Sequence, residues 1–322
     1  MNELIGYNYS NIMNIEQKHF ISRFLESKRS DCTRIAYDKD IKDFFGVSNV
    51  KHITIDIIRK VNLIHVTSYI NKLESEGLSS ATVNRKVSSL SGLYNWLMKF
   101  RDNENNLEII KYNPFSNISE EKPVINNKET EFLTESEVLQ LMRSIDISSK
   151  VGLRNKTLLG LAFTTAIRKS EIINIKIKDI SNVNGYDVIH VIRKGGKQDT
   201  VKLQEPVKAL IMEYIQATNR SIPENEKDYL FKGHSTSGIN NDRLDPSTLN
   251  YMIKAISKKA GINKKLCVHS TRHTAITLAI VKGASIEKVR DFASHANLST
   301  TNRYIHSIDK LKDNAGDLLK II

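Results

Sequence analysis

The stretch VHSTRHTAIT, residues 268–277, decides how the second half of this 322-residue chain is read. Cys267, His269 and His273 lie within seven residues of one another, a spacing that suggests zinc. The two histidines, four apart, share a face if the segment is helical. A structural zinc wants a fourth ligand, however, and no second Cys/His cluster supplies one. Arg272 shares a helical face with His269, and a guanidinium beside an imidazole repels a metal cation. It welcomes an oxyanion instead, above all phosphate, which arginine grips with a bidentate fork. The cluster is therefore better suited to phosphate than to metal.

Three further stretches carry polar residues at marked places. TTAIRKSEI sets Arg168 just after an apolar helical run, where a core residue is expected. RKGGK sets Lys194 at a strand end entering a Gly-Gly turn, with Lys197 a rival amine in the same turn. ASHANLSTTNRYIH sets His295 nine residues before Tyr304. A nucleotide P-loop is excluded, because RKGGKQDT lacks both the spacing and the following helix.

Composition agrees with a polyanion partner. Hydrophobic residues make up 40% and charged residues 26%, as in globular proteins, and the net charge is +12. The charge is uneven. Residues 1–120 hold 16 Lys+Arg against 14 Asp+Glu, leaving 32 against 22 for the remainder. A basic excess of this size favours nucleic acid. No apolar run approaches the ~18 residues that span a bilayer, and MNELIGYNYSNIMNIEQ lacks the pattern of a secretion signal. Two cysteines, Cys32 and Cys267, make no disulfide framework, so a cytoplasmic location is expected.

Periodicity predicts a mainly α fold in two domains. An extension over 1–14 precedes an all-helical domain over 15–111, and a poorly patterned linker runs over 112–133. A helical domain with a small three-stranded antiparallel sheet then occupies 134–322. In the first domain, Phe20, Ile21, Phe24 and Leu25 mark one helix, and Ile35, Ile41, Phe44 and Phe45 a second that Gly46 ends. Val66, Tyr69, Ile70 and Leu73 mark a third. Val83, Val87, Leu90, Leu93 and Leu97 mark a fourth, with Arg85 and Lys86 as candidate phosphate contacts. In the second domain Thr134 and Glu137 form a capping box. IKIKDI, DVIHVIRK and DTVKL alternate as strands, and Asp245, Pro246 and Gly261 bound a further helix.

Together these stretches resemble the tyrosine recombinases, the family of phage integrases and Xer-type resolvases. TTAIRKSEI resembles the family's Thr-Gly-Leu-Arg-x-Ser-Glu-Leu box, and RKGGKQDTVKL its Gly-Lys-Gly-x-Lys hairpin. HSTRHTAIT resembles His-x-Leu-Arg-His-Thr, and SHANLSTTNRYIH the Gly-His-(about nine)-Tyr close. TRIAYDKDIKDFF and ATVNRKVSSLSGLYNWL extend the resemblance into the first domain. Ala166 and Ser294 stand where the family has glycine, and Thr271 where it has leucine.

The resemblance implies a site-specific DNA recombinase that works without metal or other cofactor. Tyr304 would be the nucleophile forming a 3′-phosphotyrosyl link, and Arg168 and Arg272 the phosphate clamp. Lys194 would be the general acid, His269 an acid–base helper, His295 a donor to the phosphate and Glu171 a support for the arginines. His273 is assigned to structure. Expected partners are double-stranded DNA with a specific site, three further copies in a homotetramer, and an accessory DNA-bending protein. The tail after Tyr304 has the spacing of an amphipathic helix that docks in its own domain or a neighbour's. Two rivals share much of this pattern: a type IB topoisomerase, and a DNA-binding regulator that keeps the fold without turnover. The Xer-like first domain argues against the former, and the intact Tyr304, Arg168 and Arg272 against the latter.

Overall fold

Helical periodicity before residue 100 resolves into α1 (Phe20–Glu26), α2 (Asp31–Phe45), α3 (Ile55–Lys60), α4 (Leu63–Ser75) and α5 (Ser80–Leu97). The computed structural model describes residues 19–101, 108–125, 131–193, 195–234 and 242–294. The chain divides into two compact units, residues 1–128 and 129–322, each with its own core.

In the first unit, short polar caps start the helices. Thr54, Asn62 and Ser79 accept from backbone N–H groups of the first turns of α3, α4 and α5, satisfying donors that a helix start leaves orphaned. Gly46, at φ +64°, ends α2 in the left-handed conformation, as predicted. Ile21, Phe24, Ile41, Ile70 and Leu90 meet in the core. Two details differ from the sequence reading. Ile35, counted on the apolar stripe of α2, is 69% exposed. The 3₁₀ turn Val50–His52 and helix α3 are too short to carry a periodic signal and were not foreseen.

The larger difference concerns Arg85 and Lys86. Both point at carboxylates of α2. Arg85 forks Asp40 with bonds of 2.5 and 2.9 Å, and the Ser89 hydroxyl donates to the same carboxylate at 2.8 Å. Lys86, 8% exposed, donates to Asp43 at 2.5 Å beside the Tyr69 hydroxyl at 2.8 Å. Burial works against the ionised Asp43, but these hydrogen bonds outweigh it and hold its pKa below the usual carboxylate range. Burial and then the Asp43 bond push the Tyr69 phenol up. Lys86 is thus an interior ion-pair partner, not a phosphate contact. Arg85 keeps an exposed face but spends its fork on Asp40.

The stretch expected to be linker is anchored at both ends. Phe115 and Ile118 are buried in the first core, Asn113 donates to Ser91 and Asn95, and Asn84 donates to the Pro123 carbonyl at 2.8 Å. Aromatic contacts explain it: Phe115 fills the space between Phe44 and Tyr94. At the other end, Leu133 is buried in the second core.

The second unit opens with α6 (Glu135–Arg143), capped by the predicted Thr134–Glu137 box, then α7 (Lys150–Thr165) and the single turn α8 (Lys169–Ile172). The sheet follows as β1 (Ile180–Val183), β2 (Tyr186–Ile192) and β3 (Gln198–Lys202), antiparallel in that order, with Ile189 opposite both Ile180 and Val201. Helices α9 (Glu205–Ala217), α10 (Pro246–Lys259), α11 (Val268–Val281) and α12 (Ile286–Ala293) complete it. Asp245, Pro246 and Gly261 bound α10 as predicted. The first strand begins later than the alternation in IKIKDI suggests. Lys176 makes an isolated bridge to Tyr229, and Ile177–Asp179 coil into a 3₁₀ turn. Among the described residues, no helix is long and apolar enough to cross a membrane.

Two stability predictions follow from these contacts. Asp40 is 1% exposed, and its loss leaves Lys86 with one carboxylate fewer in the interior. Asp40→Ala is expected to destabilise the protein by ~3 kcal/mol in urea unfolding, and Arg85→Ala to destabilise it as well, because it strips the forked partner from the buried Asp40 carboxylate. In the second unit, the His234 imidazole shares a 2.8 Å hydrogen bond with the Tyr214 hydroxyl. Burial first, then the charges of Arg154, Arg220, Lys150 and Lys232, lowers its pKa from 6.5 to about 4. Unfolding therefore takes up a proton below the ordinary value. Its contribution is full above pH ~6.5 and is lost as pH falls toward ~4. His234→Gln should flatten thermal stability against pH across that window, and an unchanged profile would contradict it.

Candidate active site

Arg272 leaves the second turn of α11 with 3% of its surface exposed. A buried guanidinium needs an oxygen for its donors. Nη1 donates to the Ala166 carbonyl, where α7 ends, and Nη2 to the Ala293 carbonyl, where α12 ends. A small apolar cluster of Ala166, Ala275, Ile276, Val289 and Ala293 packs around this junction.

Both helix ends turn through a left-handed residue, and neither is glycine. Ala166 has φ +50° and Ser294 φ +49°. Of the departures Ala166, Ser294 and Thr271, these two fall where a side chain is strained. At the third, Thr271 is buried, and its hydroxyl donates to the Val268 carbonyl at 2.8 Å.

Arg168 stands at the start of α8, with its side chain one-third exposed. Its backbone N–H donates to Glu171 Oε2 at 2.7 Å and its Nη1 to Oε1 at 3.0 Å. The predicted support role of Glu171 has this geometry, but the carboxylate has a second partner. Arg193 Nη1 donates to Oε2 at 2.7 Å, while Arg193 Nε donates to Asp199 at 2.9 Å. Glu171 and Arg193 are each 5% exposed. Burial opposes ionisation of Glu171, but the Arg168 N–H and the Arg193 charge outweigh it and keep its pKa below the usual range. Arg193 was missed in the sequence. The signal was present: counting by twos from Ile189 and Val191 puts residue 193 on the inward face of β2.

His269 lies one turn before Arg272 and is exposed. Crowding by the protein lowers its pKa from the ordinary value, and the charges of Arg272 and Arg168 lower it further. The Arg272 bond to the Ala166 carbonyl, two residues before Arg168, brings Arg168 to the helix that bears His269 and Arg272, although Arg168 is 101 residues from His269 in the chain. His273 faces elsewhere. It stacks on Phe132 at 5.7 Å and shares a hydrogen bond with Thr277. Cys267 precedes the helix as its cap, close to Ser270. Among the described residues, no three His, Cys, Asp or Glu side chains group as metal ligands. Lys197 is exposed in the turn, and its carbonyl accepts from Arg193 N–H at 2.7 Å. Lys194, His295 and Tyr304 lie outside the described residues.

The left-handed ends give a contrasting pair of predictions. Glycine at such a position relieves ~1–2 kcal/mol of strain and costs ~0.5–1 kcal/mol of chain entropy. Ser294 is half-buried, so Ser294→Gly should stabilise by about 0.5–1 kcal/mol in thermal unfolding. The Ala166 methyl is fully buried, and losing it costs ~0.8 kcal/mol more, so Ala166→Gly should come out near neutral.

Comparison with known sequences agrees with this geometry. The profile of the phage integrase family matches residues 131–310, and that of the phage integrase N-terminal SAM-like domain matches residues 18–100. A tyrosine recombinase of Pseudothermotoga lettingae is 32% identical over 292 residues, covering 89% of this chain and 91% of that protein. Tyrosine recombinase XerD of Oceanobacillus iheyensis is 27% identical over 300 residues, covering 92% and 94%. Among solved structures, XerH recombinase bound to a palindromic difH substrate superposes with a TM-score of 0.65 at 21% identity, covering 91% of this chain and 95% of that one, which speaks for the fold. With the two arginines and His269 gathered at one place and both halves of the chain matched, the protein belongs to the phage integrase family of tyrosine recombinases.

Proposed function

We propose that this tyrosine-type site-specific DNA recombinase cuts and rejoins its target through Tyr304, with Arg168, Lys194, His269, Arg272 and His295 around the scissile phosphate. The observation that carries the reading is the Arg272 bond to the Ala166 carbonyl, which brings the turn before Arg168 to the helix that bears His269 and Arg272. In the reaction, the Tyr304 oxygen attacks phosphorus. The bond from phosphorus to the tyrosine oxygen forms and the bond to the 5′ oxygen breaks, which leaves a 3′-phosphotyrosyl link and a 5′-hydroxyl. His269, whose pKa is lowered by burial and by the charges of Arg272 and Arg168, accepts the phenolic proton. Lys194 donates a proton to the departing 5′ oxygen. Arg168 and Arg272 neutralise charge on the non-bridging oxygens, and His295 donates a further hydrogen bond. Because the phosphodiester energy is stored in the tyrosyl link, the reverse attack by a 5′-hydroxyl rejoins the strand.

DNA is the partner. Its site would be a specific duplex sequence, bound by phosphate contacts that make affinity fall with salt. XerH is captured on its difH substrate, and λ integrase on a core site. By analogy four copies would assemble on two sites, with an accessory DNA-bending protein aligning them, in the cytoplasm.

The test is covalent trapping. Nicked duplexes drawn from DNA flanking the gene are incubated with the protein in EDTA and resolved on a denaturing gel. A slow, protease-sensitive band is expected, absent for Tyr304→Phe at equal duplex binding. A band that survives the substitution would mean another nucleophile. No band from either protein, with tight binding by both, would favour a binding regulator.

A further inference from the structure

We infer that Arg193 is a positioning residue that couples the phosphate clamp to the lysine hairpin. The inference rests on the reading of Lys194 as general acid. Arg193 is the residue before Lys194 in the chain, and its own place is fixed from three sides. Nη1 donates to Glu171, Nε donates to Asp199 on β3, and the backbone N–H donates to the Lys197 carbonyl across the turn. Its Nη1 and Nε are already spent on the carboxylates of Glu171 and Asp199, so the guanidinium acts through its neighbours.

The carboxylate of Glu171 is the joint. One oxygen holds the Arg168 guanidinium, and the other holds the Arg168 backbone and Arg193. The four side chains Arg168, Glu171, Arg193 and Asp199 form one line of alternating charge with no net charge. Such a network is favourable when every member is bonded and costly when one is removed. It ties the backbone on both sides of Lys194 to the residue that grips the phosphate.

A turn with two glycines at positive φ, Gly195 at 87° and Gly196 at 83°, has little stiffness of its own. Arg193 supplies the stiffness from below. In the family pattern Gly-Lys-Gly-x-Lys this place is a glycine, so the device belongs to this chain. General-acid catalysis needs its donor within hydrogen-bond reach of the leaving oxygen, and misplacement by ~1 Å costs on the order of 100-fold.

The leaving group gives a direct test. A duplex with sulfur in place of the bridging 5′ oxygen departs as a thiolate, which needs no proton, since thiols ionise near pH ~8.5. Arg193→Gln and Asp199→Asn are each expected to slow cleavage of the ordinary duplex by roughly 10- to 100-fold, with duplex affinity within about 2-fold. On the sulfur duplex, both should come within about 3-fold of the unchanged protein. Glu171→Gln, which also loosens Arg168, should stay slow on both duplexes.

Lys194→Ala serves as the reference. If it is rescued by sulfur while Arg193→Gln and Asp199→Asn are not, Lys194 stands as the acid and the positioning role of Arg193 is wrong. If Lys194→Ala is not rescued, the acid assignment itself fails and the inference falls with it. Should Arg193→Gln melt early or lose duplex binding, Asp199→Asn decides, because its one-third exposed carboxylate can be neutralised without leaving a cavity.

Discussion

A guanidinium with almost no exposed surface cannot rely on water, and arginine cannot shed its charge to ease burial. Arg272 resolves this by donating to the carbonyls of Ala166 and Ala293. The rest of the second unit depends on that arrangement. It fixes where α7 ends, two residues before Arg168, and where α12 ends, two residues before His295 in the chain. Helix α7 and the later pair α11 and α12 are registered against one another by a single cation. The apolar cluster at the junction fills the space around it but gives no direction. The hydrogen bonds supply direction, because they have angles and burial does not.

The two arginines of the candidate clamp are held by different chemistry. Arg272 leans on main-chain oxygens, which no side-chain substitution at Ala166 or Ala293 removes. Arg168 leans on Glu171, one carboxylate that a single substitution neutralises. The first grip is insensitive to sequence so long as the backbone keeps its turns. The second is sensitive to charge at three further positions. A mutational scan would find Glu171 and Arg193 easily and pass over the oxygens that hold Arg272.

Much of this was legible in the sequence, for identifiable reasons. Helices with long apolar stripes, such as α4 and α5, declare themselves because the buried side repeats every third or fourth residue. Capping at Thr134 and Asp245 is local chemistry and was read correctly. Helices α9 and α12 are absent from the predicted elements, and α3, six residues long, has too little sequence to show a period. Lys86 looked like a surface cation because its partners, Asp40 and Asp43, come from another helix about 45 residues away. Phe115 lay in a stretch poor in apolar pattern, yet a single aromatic ring suffices to bind that stretch to the core. At the site, the order and spacing of polar residues named Arg168, His269 and Arg272. They could not show that Glu171 serves two arginines, because that depends on the register of β2.

The chain enters the second unit through a clasp. Glu131 accepts from the Lys265 backbone, the Phe132 carbonyl accepts from the Lys264 ammonium at 2.9 Å, the Phe132 ring lies on His273, and the Leu133 backbone donates to Thr274 at 3.0 Å. Every one of these contacts is made to the approach or the first two turns of α11. A pull on the preceding chain would therefore reach the helix that bears His269 and Arg272 as well as the core that holds Leu133.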